Sequence, residues 1–224
     1  MSSGDWTLGV ATSTAQVGVA LAGPDGVAAE IRLMAGRRHA ETLAPAIQSA
    51  TRLAGVDLGA VRRVAVDAGP GLFTGLRVGV ATAKAIASAL GVPVVPCTSL
   101  ELLAHPHRLS GRTVAAVVDA RRGQLFWALY RPGADGMVAL GEPAVADPAE
   151  VAAELARLPE PPLVTGDGAR RYLPEADLAP EEMDHPSPVA LLLVAAGRAE
   201  LPPEKVSPVY LRGPDVRIGW EQRP

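Results

Sequence analysis

The stretch Asp67-Ala-Gly-Pro-Gly-Leu-Phe-Thr-Gly-Leu-Arg77 joins an apolar segment, residues 61–66, to a long alanine-rich segment, residues 74–90. This order predicts a strand, a glycine-rich turn and a helix. Backbone N–H groups at such a helix N-terminus can hold an anion. Close packing of the helix on its sheet explains the same glycines, and glycine motifs match many unrelated loops. Packing is therefore favoured on geometry alone.

The elements around this junction repeat in order. The first half predicts strands at 6–11, 17–22, 27–34, 61–66 and 92–95, with helices at 40–53, 74–90 and from 99. The second half predicts strands at 113–118, 124–130, 137–140 and 162–165, helices at 148–158 and 188–199, and a loop at 170–186. Three strands, a helix, a strand and a helix thus occur twice, which indicates an α/β fold of mixed sheets covered by helices.

Domain boundaries follow from the break in this pattern near residues 104–112. We expect an N-terminal lobe at 1–104, a smaller C-terminal lobe at 112–200 and a proline-rich tail at 201–224. The 224 residues, 48% of them hydrophobic, suffice for one large domain or two small ones.

Charge and cysteine content exclude several classes of protein. The net charge of −3 gives no basic footprint for autonomous binding of nucleic acid. Cys97 is the single cysteine, which excludes an internal disulfide and a multi-cysteine zinc site, and a buried inert thiol is the favoured interpretation. The first residues lack the regions of a signal peptide, and no apolar run is long enough to span a bilayer, so we expect a soluble cytoplasmic protein without membrane contact.

Candidate catalytic groups lack partners at useful spacing. A metal pair beginning at His39 would need a second ligand on the same helix face, where the sequence has Thr42 and Leu43. His39 is therefore predicted at a helix start or on the surface. His105, His107 and His185 also lie in predicted loops without a second ligand. No Gly-x-Ser-x-Gly elbow is present to support nucleophilic hydrolysis.

The amino-acid identities in several motifs are more specific for one protein family than the predicted geometry of those motifs. The main ones are Gly69-Pro-Gly-Leu-Phe-Thr-Gly-Leu-Arg-Val-Gly-Val-Ala-Thr-Ala-Lys84, Thr12-Ser-Thr14, His39-Ala-Glu41, Asp119-Ala-Arg-Arg-Gly123, Gly166-Asp-Gly168 and Pro208-Val-Tyr-Leu-Arg212. In this order they resemble the signature of the TsaB (YeaZ) family, partner proteins in the making of threonylcarbamoyladenosine in transfer RNA. The resemblance covers nearly the whole chain. It implies the duplicated, two-lobed fold of the actin, Hsp70 and sugar-kinase superfamily, which is RNase H-like.

The same resemblance bears on nucleotide binding. Ala11 stands where proteins of this superfamily usually have an aspartate in the first hairpin, and a methyl group cannot coordinate a cation. A vestigial phosphate site would use Thr12, Ser13, Thr14, Gly69, Gly71 and Thr74, although such hydroxyls commonly bond local backbone. The resemblance implies no cofactor for this chain, with ATP and metal on partner subunits.

Two helices carry the predicted partner surface. Small and apolar residues recur on them at helical spacing: Leu43, Ala46, Ile47, Ala50 and Leu53 on the first, and Gly79, Ala83 and Ala87 on the second. The resemblance implies that these helices pair with the catalytic paralogue TsaD, or with a second copy when the protein is alone. It also implies contact with the ATPase TsaE through the complex and with transfer RNA indirectly.

Three functions are weighed. The resemblance, Ala11 and the unpaired histidines favour a non-catalytic partner subunit for threonylcarbamoyl transfer to adenosine 37 of transfer RNA. The glycine segments 69–75 and 166–168 keep open an active nucleotide-dependent kinase or ATPase. A metallopeptidase is disfavoured because a histidine pair is missing.

Overall fold

The computed structural model describes residues 5–134 and 136–211, which form two mixed β-sheets covered by helices. The strands of the first sheet are β1 (Trp6–Ala11), β2 (Gln16–Gly23), β3 (Gly26–Met34), β4 (Val61–Asp67) and β5 (Val94–Cys97). Those of the second are β6 (Val114–Arg121), β7 (Gln124–Gly133), β8 (Gly136–Ala139), β9 (Ala144–Ala146) and β10 (Leu163–Thr165).

Six α-helices lie within these described ranges. They are α1 (His39–Ala54), α2 (Phe73–Leu90), α3 (Ser99–Ala104), α4 (Pro148–Ala156), α5 (Asp167–Tyr172) and α6 (Pro188–Ala195). Short 3-10 turns lie at Leu58–Ala60, His105–His107, Glu181–Met183 and Pro203–Lys205.

The two sheets share one plan. The first has the order β3-β2-β1-β4-β5, with an antiparallel β1–β2–β3 meander and β4 and β5 parallel to β1. The second has the order β10-β6-β7-β8, with antiparallel β6–β7–β8, β10 parallel to β6, and β9 paired with β7. In the described residues the second sheet has no counterpart of β5. This duplication confirms the predicted fold class.

Local sequence signals set the helix ends. Gly55 and Gly91 follow α1 and α2 with φ of 65° and 67°, the left-handed conformation that glycine adopts without a Cβ penalty. Capping boxes start α3 and α4, formed by Thr98 with Glu101 and by Asp147 with Glu150.

Helices cover both faces of the first sheet, and one of them comes from the far end of the chain. Helices α1 and α2 pack on the face that carries Leu8 and Val10. Helix α6 packs on the opposite face, where Gly9 and Gly18 leave room for Leu192 and Pro188. Helix α3 instead packs on β6 of the second sheet. The two sheets are thus joined by exchanged helices, and the lobe limits at 1–104 and 112–200 stay a prediction.

Several elements differ from the sequence prediction. Strand β9 and helix α5 were not predicted, and the predicted loop at 170–186 begins inside α5. Both elements are short, at 3 and 6 residues, too short to show a clear period in the sequence. Residues 212–224 of the predicted tail lie outside the described residues. Within the described residues, no helix has the length and apolarity needed to cross a membrane.

Candidate functional site

The hairpin between β1 and β2 docks against a line of glycines at the start of α2. A Cβ on Gly71 would lie 2.2 Å from the Ser13 carbonyl oxygen, and one on Gly75 would lie 2.1 Å from that of Thr12. A Cβ on Gly79 would lie 2.1 Å from Thr12 Oγ1. Since real Cβ atoms do not approach other atoms so closely, a side chain at Gly71 or Gly75 would collide with hairpin backbone, and one at Gly79 would collide with the Thr12 hydroxyl. We call this contact the glycine groove.

Hydrogen bonds fix the hairpin in the glycine groove. The Leu72 N–H donates to the Ser13 carbonyl at 2.6 Å, and Thr12 Oγ1 donates to the Gly75 carbonyl at 2.8 Å. His39 Nε2 lies 2.7 Å from the Thr14 carbonyl, which can only accept, so this nitrogen donates. Thr12, Ser13 and Thr14 are each only 1% exposed. The hairpin's own atoms therefore fill the space beside the start of α2.

A buried carboxylate holds the surrounding loops together. Asp67, at the end of β4, is fully buried; its Oδ2 accepts from Ser13 Oγ at 2.5 Å, and its Oδ1 accepts from Ser99 Oγ at 2.6 Å and from the Gly69 N–H at 3.0 Å. Burial raises the pKa of Asp67 above its ordinary value, while these hydrogen bonds oppose the rise. The carboxylate thus links the hairpin, the glycine turn and the start of α3.

Sequence reasoning missed Asp67, although a signal exists: it is an acid that ends an apolar strand and directly precedes a glycine turn. Of the predicted phosphate ligands, the structure brings Thr12, Ser13, Gly69 and Gly71 together as a packed contact. Thr14 lies beside them with its Oγ1 3.1 Å from His185 Nδ1. Thr74 lies apart, exposed on α2.

The second sheet has a related contact. A Cβ on Gly166, whose φ is 113°, would lie 2.1 Å from the Val117 carbonyl oxygen, so this glycine also packs on strand backbone. The Asp119 N–H donates to Asp167 Oδ1 at 3.0 Å, and the Asp119 carboxylate pairs with Arg121 and Arg171 at 3.2 Å each. Burial raises the pKa of Asp167 to about 6. In both sheets a glycine segment therefore packs directly against the backbone of another part of the chain.

The predicted partner residues are mostly interior, which corrects the sequence-based assignment. Seven of them are at most 5% exposed or otherwise buried in the core of this chain: Leu43, Ala46, Ile47, Ala50, Gly79, Ala83 and Ala87. Leu53 alone among the predicted set is exposed, at 73%. The predicted stripes face the chain's own sheet, because helical periodicity identifies a buried face but not what buries it.

Other residues form the solvent side of the helix pair. On α1 these include Ala44 and Gln48. On α2 an exposed stripe repeats every four residues: Phe73, Arg77, Ala81, Ala85 and Ala89. We call the solvent side of α1 and α2 the outer helix face.

The remaining candidate groups are buried or half-buried side chains. His39 is the first residue of α1, as predicted, but it is 2% exposed rather than on the surface. Burial lowers the pKa of His105, His107 and His185 and raises that of the Cys97 thiol to about 12. In the part of the chain that the structure describes, no three histidine, cysteine or acidic side chains are grouped to hold a metal ion.

The chain is similar in sequence and in structure to known proteins. Residues 24–165 match the family model described as TsaD: tRNA N6-adenosine threonylcarbamoyltransferase. An uncharacterized protein of Mycobacterium tuberculosis is 37% identical over 81% of this chain and 78% of its own length. The Escherichia coli tRNA threonylcarbamoyladenosine biosynthesis protein TsaB is 27% identical over 97% of both chains. The solved structure of YeaZ from Pseudomonas aeruginosa, 28% identical, superposes with a TM-score of 0.80 over 92% of this chain and 100% of that one.

Proposed function

The chain belongs to the TsaB (YeaZ) family, and on that premise we propose that it is a non-catalytic partner subunit of a TsaD-containing complex. In this proposal the complex transfers threonylcarbamoyl to adenosine 37 of transfer RNA, and the catalytic paralogue TsaD performs the chemistry. The observation that carries the proposal is the closed glycine groove.

The glycine groove argues against phosphate chemistry on this chain. A nucleotide phosphate at the start of α2 would have to displace the Ser13 carbonyl from the Leu72 N–H. It would also separate Ser13 Oγ from Asp67, leaving a fully buried carboxylate without one of its donors. Removing one partner of a buried charged hydrogen bond costs roughly 1–3 kcal/mol or more. Ala11, 3% exposed, offers only a methyl group where a cation-organising carboxylate would stand.

The outer helix face is the surface that we assign to the partner. Its exposed side chains are mostly small or uncharged, such as Ala44, Gln48, Ala81 and Ala85, so another helix pair can approach closely. A four-helix contact of this kind would bind TsaD or, when the protein is alone, a second copy. ATP and metal would be held by the partner subunits, TsaE would join through the complex, and transfer RNA would be contacted indirectly.

Reconstitution tests this function. The purified chain, TsaD and TsaE from the same organism and the threonylcarbamoyl donor are combined with unmodified transfer RNA, and each protein is omitted in turn. We expect modified adenosine only when this chain is present, and no steady ATP hydrolysis by this chain alone. Modification at the full rate without the chain would refute the partner role. Hydrolysis by the chain alone that is lost in Thr12→Ala would favour the kinase or ATPase class.

A further inference from the structure

The first sheet ends at β3, and the outer side of this strand is open. β3 bonds to β2 on one side, and among residues 5–134 and 136–211 no strand or isolated bridge pairs with its other side. Leu33 and Met34 on this strand are 42% and 63% exposed. An open strand edge offers unpaired N–H and C=O groups to another strand. We call this side of the strand the β3 edge.

Other sheet edges are covered by the chain itself. On β5, Val94 exchanges backbone hydrogen bonds of 2.9 and 2.8 Å with Leu201. On β10, the Val164 N–H donates to the Asp177 carbonyl and the Val164 carbonyl accepts from the Ala179 N–H, both at 2.8 Å. β8 spans only 4 residues, whereas β3 spans 9. In the described part of the chain, β3 is therefore the long edge that the fold leaves uncovered.

Alternation along β3 decides which backbone groups reach the β3 edge. The Ala35 N–H donates to the Ala15 carbonyl at 3.0 Å, and the same register continues along β2 and β3. In an antiparallel pair, every second residue turns both its N–H and its C=O to the facing strand. Ile31 therefore bonds to β2, whereas Glu30 and Arg32 present their backbone groups to the β3 edge.

The two charged residues at the β3 edge carry opposite charges. Arg32 and Glu30 approach each other to 2.6 Å, and the Arg32 guanidinium also donates to Ser187 Oγ at 3.0 Å, beside the start of α6. Ala29 and Ile31 lie on the opposite face and pack on the core beneath α1. Charged side chains on an edge usually oppose pairing with another edge. These two are self-complementary instead, because successive outward positions offer one charge of each sign.

From this pattern we infer that the β3 edge binds the β3 edge of a second copy of this chain, with a two-fold axis at Ile31. A two-fold contact between identical edges pairs the strands antiparallel. Glu30 then lies opposite the second copy's Arg32, and Arg32 lies opposite the second copy's Glu30. Each facing pair exchanges its backbone N–H and C=O groups, which joins the two sheets into one. This contact is separate from the four-helix contact proposed for the outer helix face.

The neighbouring registers match the charges less well. An axis at Glu30 would oppose the two glutamates, and an axis at Arg32 would oppose the two arginines. Opposite charges directly across a strand pair stabilise it, whereas like charges destabilise it. The axis at Ile31 also sets Leu33 opposite the second copy's Ala29 on the face toward α1. A groove of about 510 Å³ lies there along Ile31 and Leu33, so this face has room for apolar side chains of the second copy.

A charge swap in the full chain tests the pairing. The reference chain and all variants carry Ala81→Arg, which places a charge on the outer helix face and removes the four-helix contact from the measurement. Self-association is followed by analytical ultracentrifugation. Glu30→Arg and Arg32→Glu should each weaken it at least about tenfold, because both facing pairs then join like charges. The double variant restores opposite charges and should associate within about threefold of the reference chain.

Mixing the reference chain with the double variant tests the register. With the axis at Ile31, each charge of one chain faces a like charge of the other, so mixed dimers should be at least about tenfold weaker than either homodimer. An axis at Glu30 would favour mixed dimers, and an excess of them would overturn the inferred pairing. Arg32→Glu and the double variant both lose the bond to Ser187, so rescue by the double variant excludes that bond as the cause.

Amide hydrogen exchange locates the contact on the strand. The N–H groups of Glu30 and Arg32 should exchange slowly in the dimer and rapidly after dilution to the monomer. The Ile31 N–H, which bonds to β2, should exchange slowly in both states. Exchange of Glu30 and Arg32 that does not change with protein concentration would contradict pairing at the β3 edge.

A matched variant controls for the change of charge. Arg131→Glu makes the same substitution at an exposed position on β7, which lies inside the second sheet, and should leave self-association within about twofold of the reference chain. Circular dichroism checks that each variant is folded. A reference chain that stays monomeric at about 1 mM would overturn the inference, as would equal effects of Arg32→Glu and Arg131→Glu. If Arg32→Glu weakens binding of the paralogue but not self-association, the β3 edge binds the paralogue and the inference is wrong.

Discussion

The packing of the glycine groove predicts that a methyl group added at Gly79 fits only when the Thr12 hydroxyl opposite it is removed. Gly79→Ala places a Cβ only 2.1 Å from Thr12 Oγ1, whereas its distances to Thr12 Cβ and Cγ2 are 3.4 and 3.6 Å. Thr12→Ala removes that hydroxyl and opens the space. The double variant should therefore fit a methyl into the gap that the lost hydroxyl leaves.

These contacts set the size of each effect on stability. Alanine favours a helix interior over glycine by about 1 kcal/mol, but overpacking costs about 1–3 kcal/mol, so Gly79→Ala should destabilise by up to about 2 kcal/mol. Thr12→Ala loses the 2.8 Å hydrogen bond to the Gly75 carbonyl and a buried methyl group, together about 2 kcal/mol. The double variant should lose less than the sum, with a coupling free energy of about 1–3 kcal/mol.

Urea unfolding followed by circular dichroism measures each free energy of unfolding. Thr12→Val is the matched control because it loses the hydrogen bond but keeps an atom in the place of Oγ1, so it should not couple to Gly79→Ala. Gly197→Ala, where a Cβ meets nothing within 4 Å, controls for the gain of a methyl. Coupling below about 0.5 kcal/mol for the Thr12→Ala pair, the usual limit of additivity, would refute the packing of the hairpin in the groove.

Two further predictions concern the outer helix face and the second glycine segment. Ala83→Arg places a charge at a fully buried position and should unfold the chain. Ala81→Arg, on the solvent side of the same helix, should keep the thermal midpoint and weaken paralogue binding. Equal midpoints for the two variants would contradict the assigned faces. The pKa of Asp167 in the folded state is raised to about 6 from the ordinary value of 3.8. Protonated Asp167 therefore adds on the order of 2–3 kcal/mol to the free energy of unfolding below pH 3.8, and this contribution is lost as pH rises through about 6. Asp167→Asn should remove that part of the pH dependence in urea unfolding at pH 4 and pH 7, and an unchanged profile would contradict the raised pKa.

Much of the fold follows from local signals. The predicted strand and helix order is found in both sheets, and short-range signals mark the helix ends: capping boxes at the start of α3 and α4 and glycines after α1 and α2. The short elements β9 and α5 were missed because three to six residues show no clear period. Their positions depend on pairing with β7 and packing on β6.

The candidate site was less predictable than the fold. The sequence grouped Thr12, Ser13, Thr14, Gly69, Gly71 and Thr74 as a vestigial phosphate site, which stays a prediction; the structure places Thr74 apart from the others and adds Asp67, which links the hairpin to the glycine turn. It also assigned the stripe that includes Ile47 and Ala83 to a partner, although both side chains lie in the chain's own core.

The sequence by itself determined the longer helices and strands, their duplicated order and the family motifs, because caps, periodicity and the residues of a motif are properties of neighbouring positions. Only the tertiary structure decided which face of each helix is interior and whether the glycine turn is open. Those outcomes depend on contacts between distant residues: Thr12 and Gly75 are 63 positions apart, and Gln16 meets the Pro186 carbonyl across 170 positions. A glycine leaves room either for a phosphate or for a backbone carbonyl of the same chain, and in this fold the carbonyls of Ser13 and Thr12 lie against Gly71 and Gly75.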